Sequence, residues 1–137
     1  MKKHLTAILA IALGTLASAQ TTDTAYAPVN ISTEIYTIVE KSPEFPGGYE
    51  GLMQYLAASI QYPAEAKADD AEGTVYATFV IETDGTTSAV RILRSPHPAL
   101  SKEAIRVIKA MPKWKAGHQR SKKVRVQYNL PIKFQLQ

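Results

Sequence analysis

From Val124 to Leu136 every even position is apolar (Val124, Val126, Tyr128, Leu130, Ile132, Phe134, Leu136), while the odd positions between them carry Arg125, Gln127, Asn129, Pro131, Lys133 and Gln135. A two-residue period sustained this long is a β-strand with one face buried, so the fold must contain a sheet with a covered side. At about 3.3 Å per residue such a strand reaches roughly 40 Å, longer than the other strands below, so part of it must run past its partner. Pro131 cannot donate to a ladder, which places the strand at a sheet edge or at a bulge. Lys, Arg and Pro are also the residues that blunt an exposed edge against aggregation. The same edge could instead accept an extended segment of a partner, with basic side chains choosing an acidic or polar guest. The pattern leaves both readings open.

The rest of the chain supplies what covers that face. "IYTIVE" is a short β-prone run, stopped by the prolines and paired glycines of "KSPEFPGG". Leu52, Met53, Leu56 and Ile60 recur at helical spacing and predict a helix from about Tyr49 to Ile60. A second, short helix starts at Pro63 and ends before Gly73, with Asp69, Asp70 and Glu72 at its close. Thr74 to Glu82 is a strand with Val75, Ala77, Phe79 and Ile81 on one face. Asp84-Gly85 turns it into the antiparallel return strand "TSAVRILR". A third helix follows, with Ser101 as N-cap, Leu100, Ala104, Val107, Ile108 and Met111 as its buried stripe, and Pro112 as its stop. Tyr62 is the odd residue here. It stands where an N-cap would, a position that favours Ser, Thr, Asp or Asn, so its ring needs a contact to account for it.

With 137 residues the chain suits one domain with a modest core. Lys2 and Lys3, an apolar run from Leu5 to Leu16 and then Ala17-Ser18-Ala19 read as a secretory signal cleaved after Ala19. Residues 20–34 are a polar lead-in, and 35–137 the folded domain. Charge divides along the chain: from Gln20 to Thr87 two lysines face eleven acids, and from Ser88 onward twelve Lys and Arg face Glu103 alone. In an exported protein a basic half meets acidic proteins, membranes or wall polymers rather than nucleic acid. It also has a bland reading, in which the halves neutralise each other. The chain has no Cys, its three histidines lack metal-ligand spacing, and Ser101 has no nearby His and acid pattern. The expectation is a binding domain and not an enzyme, with no cofactor.

Taken in order, "PEFPGG", "YPAEAK", "GTVYATFVIETDG", "AVRILRSPHPAL", "KEAIRVIKAMPKWKAG" and "VRVQYNLPIKFQL" resemble the C-terminal domain of TonB in its Bacteroidota-type form, from about Ile35 to Leu136. The resemblance implies an α+β, two-layer domain, helices packed on a three-stranded antiparallel sheet. It implies as partners the TonB-dependent outer-membrane receptors, whose TonB box adds to the sheet edge and so supports energised transport. Carried over by position, the receptor segment lies near Ser59, Gln61, Tyr62 and Pro63, and the receiving edge is Val124, Arg125, Val126, Gln127, Tyr128, Asn129 and Leu130. Trp114 matches a family aromatic and is expected to pack beneath the loop between helix and last strand. A full TonB is implied to keep an inner-membrane anchor for the ExbB–ExbD motor and a long proline-rich linker. Here the fifteen residues from Gln20 to Glu34 reach about 50 Å at most, so the expectation is a periplasmic domain rather than an anchored transducer. An envelope module holding peptidoglycan or an anionic surface is one alternative, a membrane-anchored energy transducer that retains its signal as an anchor is another, and a homodimer through the long last strand is a further possibility the exposed edge leaves open.

Overall fold

The computed structural model describes residues 33–137. The expected signal peptide and all but the end of the expected lead-in lie outside the described residues. The elements run β1 (Ile35–Tyr36), α1 (Gly48–Ser59), α2 (Ala64–Ala68), β2 (Gly73–Ile81), β3 (Thr87–Arg94), α3 (Pro98–Lys109), β4 (Gly117–Gln119) and β5 (Lys122–Phe134).

β2 and β3 form the expected hairpin, closed by Gly85 at φ 88°, a left-handed conformation that glycine adopts without steric cost. β2 is central: its other side pairs antiparallel with β5 over nine consecutive residues, from Gly73 opposite Phe134 to Ile81 opposite Val126. The α+β, two-layer expectation holds, but the sheet is larger than three antiparallel strands. Its order is β1-β5-β2-β3, with β4 also on β5, and β1 runs parallel to β5, Ile35 beside Arg125 and Tyr36 beside Val126. Three residues of β4 and two of β1 are too few to show a period, so neither pairing was readable locally.

The helices cover one face of this sheet. Val75, Ala77, Phe79 and Ile81 of β2 and Leu130, Ile132 and Phe134 of β5 are buried with Leu52 and Leu56 of α1, Ala66 of α2, and Leu100, Ala104, Val107 and Ile108 of α3. Trp114, 5% exposed, is the wedge at one end, its ring 5.3 Å from Phe45, 5.9 Å from Phe79 and 4.9 Å from Tyr128. Aromatic edges packed on ring faces at these distances are favourable beyond the area they bury. The expected N-cap moves: the ring of His97 accepts from the Ala99 amide through Nδ1 at 3.0 Å, with Pro98 at the first helical position, so Ser101 lies inside the first turn. The other ring nitrogen, Nε2, meets Asp69 Oδ2 at 2.8 Å and ties the end of α2 to the start of α3.

Candidate functional site: the outer edge of the last strand

Pro131 fixes which backbone groups of β5 are available. It stands opposite Tyr76 in the ladder with β2, and without an N–H it can hold that place only if its own nitrogen and carbonyl point away from β2. Peptide groups alternate along a strand, so the amides of Gln127, Asn129 and Lys133 also point away, whereas those of Val126, Tyr128, Leu130 and Ile132 bond β2. Among the described residues only β1 occupies this outer edge, at Arg125 and Val126. Beyond Val126 the edge carries outward donors at three odd positions and a carbonyl alone at Pro131.

Of the expected receiving residues, Val124 pairs with Gly117 of β4, and Arg125 and Val126 pair with β1. Gln127 to Leu130 have no strand beside them on the outer edge among the described residues. Arg125 is fixed from two sides. Its Nε and Nη2 donate to the Glu82 carboxylate at 2.7 and 3.1 Å, and its Nη1 donates to the Thr33 carbonyl at 2.9 Å. These hydrogen bonds hold the Glu82 carboxyl below the usual carboxylate range and raise Arg125.

The segment 59–63 sits at the other end of β5. Tyr62 stacks edge to face on Phe134, centroids 5.8 Å apart, and its hydroxyl donates to the Ala71 carbonyl. Burial, with the Glu72 charge, pushes that phenol up. Tyr62 therefore ties the connection between α1 and α2 to the segment just after α2 and to the end of β5, which accounts for a ring in a capping slot; Pro63 itself stands as the N-cap of α2 without a side-chain bond. The backbone just before it is held by a clamp from α3. Glu103, buried, accepts from the Gln61 amide at 2.7 Å and from Arg106 at 2.7 and 2.9 Å, and Arg106 Nη2 also donates to the Ser59 carbonyl at 2.9 Å. The bonds from Arg106 hold the Glu103 carboxyl low in spite of burial.

Between this segment and the strand lies a groove of about 770 Å³, lined by Tyr49, Met53, Ala57, Ile60 and Tyr62 on one side and Pro131 to Gln135 on the other. The structure brings Tyr62 to the groove but leaves it about 30 Å along the strand from Val124, at the rise of an extended chain. Tyr49, Met53, Ala57 and Ile60 were not among the expected site residues. Met53 and Ile60 read in sequence as part of the apolar stripe, and Tyr49 and Ala57 as an ordinary solvated face; only the tertiary position of α1 turns them into a groove wall.

The described residues thus form a helix-covered sheet whose longest strand has a bare outer edge beside an apolar groove. The model of the family described as Gram-negative bacterial TonB protein C-terminal matches residues 58–136, more than half of the chain, and the chain belongs to that family. Among solved structures the chain is similar to two solution structures of the Helicobacter pylori TonB C-terminal domain. One, spanning residues 179–285 of that protein, is 22% identical with a TM-score of 0.49, over 63% of this chain and 78% of that one. The other, spanning 194–285, is 21% identical with a TM-score of 0.47, over 63% and 90%. No curated protein matches. Membership supports a TonB-like role in energy transduction, in a transport-associated, non-enzymatic domain of the Gram-negative periplasm that interacts with outer-membrane receptors. Among the described residues no helix is long and apolar enough to cross a membrane.

Proposed function

We propose that this domain binds the TonB-box segment of TonB-dependent outer-membrane receptors by strand addition along the outer edge of β5, from Gln127 to Lys133. The observation that carries the reading is the row of outward peptide groups at Gln127, Asn129 and Lys133, with the groove of α1 beside it. Main-chain bonds along an edge give affinity, and pockets for alternate side chains give specificity. The guest's side chains on the helix side would enter the groove between Tyr49, Met53 and Tyr62.

The test is calorimetric titration of the protein with a TonB-box peptide, comparing Asn129→Pro with Asn129→Ala. Proline at 129 removes one outward N–H and spares the ladder with β2, because that amide bonds nothing in β2. Loss of one net hydrogen bond is worth about 1 kcal/mol, or roughly fivefold in affinity. Asn129→Ala keeps the amide and should bind as the unmodified protein does. Equal affinities for the two variants would mean that this edge is not where the peptide adds. Val126→Pro is unsuitable, since its amide bonds β2 and its side chain is in the core.

A further inference from the structure

The face of the sheet turned away from the helices has a chemistry of its own. Residues directly opposite each other in a ladder project to the same face. On β2, Tyr76 lies opposite Arg94 of β3 and Pro131 of β5, Thr74 opposite Lys133, and Thr78 opposite Arg91. This face therefore gathers Arg91, Arg94 and Lys133 around one tyrosine. None of the three has a carboxylate within ion-pair distance among the described residues. Of the two acids flanking β2, Glu82 pairs with Arg125, and Glu72 accepts from the Leu136 amide at 2.9 Å.

Arg94 is held in place. Its guanidinium carbon is 5.7 Å from the centre of the Tyr76 ring, within the range of a cation attracted to an aromatic face. Beside it opens a cleft of about 310 Å³, lined by Thr74, Tyr76, Arg94, Ser95 and Pro96. The cleft offers a guanidinium and hydroxyls, and no acid. Ser95 Oγ already donates to the His97 carbonyl, so the donors left for a ligand are those of Arg94, Thr74 and Tyr76. A guanidinium with adjacent hydroxyls suits the tetrahedral oxygens of a phosphate.

Around that cleft the exposed apolar groups point to where the phosphate comes from. Leu93, adjacent to Arg94, is 56% exposed, and Tyr76 is 44% exposed. One exposed leucine needs no account. A leucine, a tyrosine and a proline set among three cations and no anion is the composition of a membrane-interface contact, in which aromatic and aliphatic groups sit at headgroup depth and cations meet lipid phosphates.

We propose that the outer face of the sheet docks on an anionic phospholipid surface, with a headgroup phosphate in the cleft of Arg94, Thr74 and Tyr76, and Leu93 at the interface. This contact does not rest on receptor binding, although Thr74, Tyr76 and Lys133 also line the groove of α1.

The test is sedimentation of the full protein with vesicles of phosphatidylglycerol and phosphatidylethanolamine, against vesicles of phosphatidylcholine alone. Binding should be confined to the anionic vesicles and weaken as salt rises. Each cation near an anionic surface is worth about fivefold in partitioning, so Arg91→Gln, Arg94→Gln and Lys133→Gln should each lose about that factor. The pair Lys122→Gln and Lys123→Gln, at the tip of the β4–β5 hairpin, should lose much less. In Leu93→Trp the new indole should shift its emission to the blue on anionic vesicles alone, while near-ultraviolet circular dichroism reports an intact fold. Four results would overturn the proposal: no sedimentation with anionic vesicles at low salt, equal losses from the hairpin-tip pair, no spectral shift at residue 93, or saturation by glycerol phosphate with no vesicle binding, which would make the ligand a free phosphate ester.

Discussion

Glu103 is the one acid between Ser88 and Gln137, and the structure buries it. A lone carboxylate in a basic stretch, on a helix whose other face is apolar, was the one mark of Glu103 in the sequence, and it did not point to the 59–63 segment as what α3 clamps. It is readable afterwards because a buried carboxylate must be paired and hydrogen-bonded. Glu103 and Glu82 both have folded values below the unfolded carboxylate range. The unfolded chain therefore binds more protons in acid, so the stability these groups add is full above the ordinary glutamate range and fades as pH falls through their lowered folded values. Glu103→Gln should cost about 1 kcal/mol at neutral pH and flatten the fall in stability between neutral and acidic pH, read by denaturant melts at several pH values. An unchanged slope would remove Glu103 from that account. Gly85 is a second single-residue lever. A Cβ there would lie 2.2 Å from the Trp114 carbonyl oxygen on a backbone at φ 88°, and Trp114 N already donates to the Gly85 carbonyl at 2.9 Å. Gly85→Ala should destabilise by more than about 2 kcal/mol, the combined effect of an L-residue at positive φ and a backbone clash, visible as a lower urea midpoint.

Among the elements, β3 was legible to the residue and β5 to within two, because hairpin turn chemistry and strict alternation are local signals. The helices agreed to about one turn. The start of α3 was misread because histidine is not among the usual capping side chains, although Pro98 marked the first helical position. What local sequence could not hold was partnership: that Ile35–Tyr36 would lie parallel on β5 depends on the whole sheet being in place. Here the guest edge already has a resident. β1 uses the outer side of Arg125 and Val126, and Thr33 is tied to Arg125. A guest long enough to extend over those positions must displace it, since one peptide edge cannot bond two strands. Tyr36→Pro, which weakens β1, should therefore tighten binding of a long receptor peptide by about twofold to fivefold, the worth of a fraction of one hydrogen bond up to a whole one. It should leave unchanged the affinity of a peptide that ends at Gln127. If the two peptides respond alike, β1 and the guest do not compete.

For the whole described domain, β5 is where the sheet is assembled. It joins β2, β1 and β4, leaving β3 alone to be held through β2. Its residues Leu130, Ile132 and Phe134 are 3%, 2% and 2% exposed, so a chain ending at Asn129 loses three core side chains as well as half the β2 ladder. Each such loss typically costs about 2–5 kcal/mol, together more than the roughly 5–15 kcal/mol that holds a domain of this size can readily absorb. The truncated chain should show no cooperative thermal transition and a red-shifted Trp114 emission, whereas the full chain should unfold in one step seen alike by fluorescence and circular dichroism.

That dependence has a consequence in time. Thr33 and Arg125 are 92 positions apart, and among the described residues every strand pairing apart from the β2–β3 hairpin waits for β5. Until then the nascent polypeptide has only helices and one hairpin to lean on, which by themselves are marginal in water. Loop closure over so long a span is also slow. A polypeptide whose β5 has yet to be made therefore stays an unfinished, threadable strand.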